Sequence, residues 1–220
     1  MSEPVIRLEG LFLRHHDHLA YGPLDLNLAA GRSALIVAPD LDLLRRLMRC
    51  CQGLEEPDRG RVSWWPGAPS AGNGAGEWAV YEFYSRIGYI DRRSQLLGSL
   101  TLLQNFLLFH RYAKIPHGPE RSRRALEAFG LADYQNLRAD ELPELQRRLA
   151  LYALTLEQHP RLMLMERPLE FLEQDFDLVW DLVLSRAAGE GLACIVFDRT
   201  RSLYSREAFD QTLTFSPGAV

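Results

Sequence analysis

No run of about eighteen or more apolar residues occurs in this sequence, so it holds no segment able to cross a bilayer as a helix. The opening stretch, MSEPVIRLEG, lacks a basic segment followed by an apolar one, and no secretory leader is read there. Cysteine is scarce. Cys50, Cys51 and Cys194 are too few for a disulfide framework and have no metal-ligand spacing, so a reduced, cytoplasmic setting is expected and no metal site. Basic excess is also missing: the formal net charge is −4, which argues against nucleic acid as a partner. There are no internal repeats. What remains is an ordinary globular composition, 47% hydrophobic and 25% charged over 220 residues, which excludes a disordered chain and suggests one domain, with or without a small subdomain.

Periodicity then divides the chain. Residues 5–13 and 24–28 alternate as strands do, with a turn expected at Gly22-Pro23. Gly31–Val37 is a short apolar run typical of a strand buried on both faces. A helix is expected over Leu41–Gln52, with apolar Leu43, Leu44, Leu47, Met48 and Cys51 on one side and Gly53 as its C-terminal stop. Arg61–Trp65 reads as a strand. Its adjacent Trp64 and Trp65 must face opposite sides, which would leave one of them exposed. Pro66–Glu77 reads as a loop. Its GNGAG follows no buried strand and opens no apolar helix, so it is a hairpin loop rather than a phosphate cradle. Arg86–Ile90 is a strand, and Leu102–Tyr112, Pro119–Phe129 and Glu144–Glu157 form a helical block. Arg161–Met165, Leu192–Phe197 and Gln211–Phe215 are strands, with a helix over Phe176–Ala188. Strands alternating with helices around a central helical stretch argue for an α/β sheet carrying a helical subdomain.

The order of these landmarks carries a resemblance. GRSALIVAPDLDLLRRLMRCCQGL at 31–54 resembles the opening of ABC transporter ATP-binding subunits, where a strand enters a GPxGxGKST phosphate loop and a helix ending in GL. EPDRGRV at 56–62 is similar to the turn that follows it in that family, and IGYIDRRSQLLGSLTLLQNF at 87–106 to the glutamine-loop region. LPELQRRLALYALTLEQHP at 142–160 lies over the LSGGQ signature segment. RLMLMERPLEFLE at 161–173 lies over the LLLLDEP segment, and LACIVFDRT at 192–200 over the strand leading to the switch histidine. Six matches in the family's order cover essentially the whole chain. The resemblance implies a P-loop NTPase-like core with a mostly parallel sheet, an N-terminal antiparallel β subdomain and an inserted helical subdomain. Residues 1–91 and 159–220 would form the β subdomain and core, and 92–158 the helical insert.

Within that resemblance, the residues of ATP chemistry are missing. The family's glycines fall on Ala38, Leu41 and Leu43, its lysine on Leu44 and its Mg²⁺-binding serine on Arg45. Branched residues do not take glycine-only backbone angles cheaply, and Asp40 and Asp42 would repel phosphate. Arg45 stands one place past the lysine and points about 100° away in a helical frame. With Arg46 it is expected to cap the solvated side of the helix. The Walker B aspartate falls on Glu166, the catalytic glutamate on Arg167, the loop glutamine on Arg92 and the switch histidine on Asp198. An arginine cannot serve as the general base that orients water. The adenine-stacking aromatic falls near His15 or His16. The signature reads Leu142-Pro143-Glu144-Leu145-Gln146, so a partner ATPase would find no working LSGGQ here either.

The residues that would build the family's frame are retained, among them Gly31, Gly53, Pro57, Gly60, Gly88, Asn105, Pro160 and Pro168. A permease would dock near 92–110, where Leu96, Leu97, Leu100, Leu103, Phe106 and Phe109 stand. Most of these are expected to fill the helical subdomain, and the exposed remainder is the candidate docking surface. The reading is a catalytically inactive ABC ATPase-like subunit, structural or regulatory, docked on a permease or an active ATPase at the cytoplasmic face of the cell membrane. No cofactor is expected. Two alternatives stand beside it: residual nucleotide binding or weak ATPase activity through Arg45, Arg46 and Glu166 with Mg²⁺, and a soluble scaffold unrelated to transport.

Overall fold

Alternating apolar residues near the amino terminus build the first layer. In a computed structural model, which describes residues 3–15, 20–68, 77–116, 118–168, 176–204 and 208–218, β1 (Pro4–Arg14) pairs antiparallel with β2 (Ala20–Ala29) and β4 (Arg59–Trp64). Leu24, Leu26 and Leu28 point inward while Asp25 and Asn27 face out, the period-two pattern of a half-buried sheet. The turn expected at Gly22-Pro23 is not one. Both residues lie inside β2, which is an edge strand of the order β2-β1-β4. An edge position tolerates a proline that cannot donate to a ladder. Gly22 has φ 132°, and a Cβ there would come within 2.4 Å of the Leu11 carbonyl oxygen, so only glycine fits.

The second layer is a five-stranded parallel sheet. It comprises β3 (Ser33–Val37), β5 (Ile87–Ile90), β6 (Leu162–Glu166), β7 (Ala193–Asp198) and β8 (Gln211–Thr214), in the order β5-β6-β7-β3-β8. Strand runs without polar interruption are what a sheet covered on both faces requires. The two faces separate residue by residue. Ile36, Leu164, Ile195 and Phe197 join one core with the antiparallel sheet and α1 (Leu41–Cys51). Leu35, Met163, Met165, Cys194 and Val196 join another. That second core continues into α3 (Leu102–Tyr112), α4 (Gly118–Ala128), α5 (Glu144–Leu156) and α6 (Phe176–Glu190). The helices α3 to α5 enter the chain between β5 and β6, and they share one core with the sheet.

Local signals set most boundaries. Gly53 follows α1 with φ 73°; its N–H reaches Cys50 O and that of Leu54 reaches Arg49 O, the paired bonds of a glycine helix stop. Thr101 and Gln104 form a reciprocal capping box at the start of α3. The helix α2 (Glu77–Ser85) was not expected from sequence. Its apolar residues run round the helix instead of along one stripe, so they show no clear period. Phe83 of α2 decides the tryptophans. Trp64 meets its ring edge-on at 5.2 Å and Trp65 stacks on it at 5.6 Å. The strand ends at Trp64, so alternation does not extend to Trp65, and neither indole stands exposed. The GNGAG loop lies outside the described residues.

Candidate functional site

The carboxyl ends of β3, β5, β6 and β7 converge where a parallel sheet usually holds its ligand. From β3 the chain passes through Ala38, which is fully buried and donates its N–H to the Asp198 carbonyl at 3.1 Å. It then turns at Asp40 and enters α1. Asp40 is the N-cap of that helix: its Oδ1 accepts from the N–H groups of Asp42 (2.8 Å) and Leu43 (3.1 Å). The same oxygen accepts from His15 Nε2 at 3.0 Å. Burial pushes the Asp40 carboxyl up, but the bonds from Leu43 N, His15 and Asp42 N outweigh it and hold the group below its ordinary range. Thus the amides that would bind an anion at this helix start are already held by the chain's own carboxylate.

Leu43 and Leu44 face inward from α1 and are fully buried, with Leu41 packed partly against the same core. The position expected to match the family's lysine is therefore a core residue. The sequence holds a single lysine, Lys114, on the turn after α3, and so none in the crevice. Arg45 does not simply cap a solvated face. Its Nε and Nη2 reach Glu166 Oε1 at 3.2 and 3.1 Å, across from the end of β6. Glu166 is 6% exposed, so its carboxylate meets a guanidinium inside the crevice. Arg46 turns away from the site to Glu55, Asp58 and the Arg14 carbonyl. It therefore stands apart from any arrangement built on Arg45 and Glu166.

The remaining positions are also engaged internally. Asp198, buried to 3% exposure, accepts from Tyr204 OH at 2.7 Å and from Arg199 N at 2.6 Å. Arg199 Nε crosses to the Pro39 carbonyl at 3.2 Å, strapping the loop before α1 to the end of β7. Arg167 sits at φ 45°, in the left-handed region, with its N–H on the Phe197 carbonyl. Arg92 lies exposed just past β5. His15 is held between Asp40 and the edge of the Tyr21 ring, 5.9 Å between centroids; His16 lies outside the described residues.

At the other candidate region, Leu142 is core and Pro143 caps α5 with no side-chain hydrogen bond. Glu144 pairs with Arg147 (3.2 Å) and Arg148 (2.9 Å) within the same helix, and Leu145 packs partly into the core. Gln146 Oε1 is buried with no partner among the described residues. Of the docking candidates, Leu96 and Phe106 belong to the core, and Leu100, Leu103 and Phe109 are half-buried. Leu97 alone of the six stands out, at 53% exposure, with Leu108 and Tyr112 exposed on the following helix.

What sequence reasoning missed is Asp40 as a cap and Arg199 as a strap. An aspartate just before a helical run is an N-cap signal and would have found the first. Arg199 acts over a distance of 160 residues and leaves no local pattern.

No protein-family profile matches the chain. It is 29% identical over 160 residues to the phosphate-import ATP-binding protein PhnC of Mycolicibacterium smegmatis, covering 68% of this chain and 60% of that protein. It is 26% identical over 173 residues to the cytochrome c biogenesis ATP-binding export protein CcmA of Cupriavidus necator, covering 78% of this chain and 73% of that one. It is 26% identical over 204 residues to the lipoprotein-releasing system ATP-binding protein LolD of Granulibacter bethesdensis, covering 89% and 85%. Among solved structures, cbiO1 of Clostridium perfringens, part of the ABC transporter complex cbiONQ, superposes with a TM-score of 0.79 over 97% of this chain and 85% of its own, at 15% identity. A bacterial ABC transporter cassette in its dimeric structure gives 0.72 over 96% and 94%, at 18% identity. At such identities the structures speak for the fold alone.

Proposed function

With its relatives and its fold both supporting the ATP-binding subunits of ABC transporters, we propose that this chain serves a transport complex as a structural or regulatory subunit that does not hydrolyse ATP. One observation carries the proposal. The Asp40 carboxylate occupies the amides at the start of α1, where a phosphate would be bound. The rest of the crevice agrees with it. Arg45 fills the approach to Glu166 with a cation, so a Mg²⁺ ion would meet a guanidinium there. Arg167 offers no lone pair to a water, and Asp198 is committed to Tyr204. Phosphoryl transfer is summed electrostatic stabilisation, and each missing group removes a part of it.

Among the described residues no helix is long and apolar enough to cross a membrane. Attachment at the cytoplasmic face would therefore run through a permease or an active ATPase, with Leu97, Leu108 and Tyr112 as exposed apolar contacts. Calorimetric titration with Mg·ATP tests the loss of nucleotide binding: no heat of binding is expected at millimolar nucleotide, and micromolar affinity overturns the proposal. Pull-down in detergent tests the docking, and recovery of no membrane protein counts against it.

A further inference from the structure

The amino ends of β5 and β6 lie at the opposite end of the parallel sheet from the crevice. Arg86 immediately precedes β5 and Arg161 immediately precedes β6, and the Arg161 N–H donates to the Arg86 carbonyl at 2.8 Å. Their exposed side chains line one cleft of about 280 Å³, with Trp65, Pro66, Phe83 and Glu82 among its other walls. Small-molecule sites usually span about 300–1,000 Å³, so this cleft suits a small occupant.

Among the described residues, neither guanidinium meets a carboxylate. Arg45, Arg46, Arg121 and Arg148, by contrast, each hold one. Both side chains of the cleft are nonetheless held in place. The Arg161 guanidinium carbon lies 5.6 Å from the centre of the Trp65 ring, and that ring stacks on Phe83. Such a contact positions the charge without committing it to an oxygen acceptor. Arg86 gives Nη1 to the His159 carbonyl at 3.4 Å, a long hydrogen bond, and no bond from its Nε or Nη2 occurs among the described residues. With two guanidiniums against the Glu82 carboxylate, the described lining keeps one positive charge in excess.

We propose that this cleft binds a small monocarboxylate with a compact apolar body. The carboxylate lies between the two guanidiniums, whose forks match it in paired hydrogen bonds. The body lies along Trp65, Phe83 and Pro66. One negative charge neutralises the excess, whereas a phosphate dianion overshoots it. Because Arg161 is already seated on Trp65 and Arg86 on the His159 carbonyl, little side-chain ordering remains to oppose binding. The site stands apart from the crevice at the carboxyl ends of the strands, so it does not depend on whether nucleotide binding is lost.

The test titrates sodium benzoate into the full chain and follows tryptophan fluorescence, with benzamide as the neutral analogue. Saturation is expected with a Kd of about 1 mM or below. Benzamide should bind at least about tenfold more weakly, and Arg86→Met and Arg161→Met should each weaken benzoate binding by a similar factor, since each removes a charge-assisted pair. Glu82→Gln, at an exposed position, should bind benzoate about two- to threefold more tightly because a like charge is removed. Arg123→Met, on the exposed side of α4, should bind as the parent does. Thermal melts establish that the variants are folded, and Arg86→Met and Glu82→Gln leave the Arg161–Trp65 contact in place should Arg161→Met unfold. No saturation by about 10 mM benzoate, equal binding of benzamide, unchanged binding in Arg86→Met, weaker binding in Glu82→Gln, loss in Arg123→Met, or tighter binding of inorganic phosphate than of benzoate each overturns the proposal.

Discussion

Asp40 caps the start of α1 with its own carboxylate. Replacing it with alanine removes the cap of α1, a hydrogen-bond partner of His15 Nε2 and the negative charge at the helix start. A loss of about 1 kcal/mol is expected from the cap, measured by chemical denaturation. The pH dependence has a defined sign. A carboxyl held below its ordinary value in the folded chain adds stability that is complete above about pH 4 and fades as pH falls through the lowered native value. Denaturation midpoints of the parent should therefore drop on acidification more steeply than those of Asp40→Ala, and parallel curves would contradict the assignment. The thiols make a second residue-scale expectation. Burial pushes Cys50 and Cys194 up to about 12 and Cys51 well above its ordinary value, so a native chain should resist iodoacetamide at neutral pH and react only on unfolding.

Elements depend on close approaches that a sequence states only as residue types. Gly60, the second residue of β4, has φ 80°, and a Cβ there would lie 2.3 Å from the Gly10 carbonyl oxygen. Gly60→Ala should lower the melting temperature by several degrees through both backbone strain and displacement of β1. Phe106, fully buried, joins α3 to the core shared by the helical insert and the sheet. Phe106→Ala should cost about 3–5 kcal/mol, and a single cooperative transition in the variant is expected because that core is continuous. The strands of the parallel sheet and the helices α1, α3, α4, α5 and α6 were legible from apolar runs, periodicity and caps. The helix α2 was not, because its aromatic residues show no stripe, and Gly22-Pro23 misled because an edge strand accepts what a central strand rejects.

For the molecule as a whole, the exposed Leu97 offers a test of docking that leaves the core untouched. Leu97→Glu should reduce recovery with a permease by about tenfold or more, if an exposed apolar contact is lost and a charge is buried in its place; unchanged recovery would move the docking surface elsewhere. Composition, periodicity and the order of landmarks determined by themselves the α/β architecture, the helical block between β5 and β6 and the lack of glycine and lysine from residue 38 to residue 46, because each is written in residue types or in local spacing. Only the tertiary structure decided which side chains meet around that segment. Asp40 meets His15 across 25 residues, Arg45 meets Glu166 across 121 and Arg199 meets Pro39 across 160. Such contacts arise where distant strand ends are brought side by side, and no local pattern in the chain encodes which side chains will then be within reach.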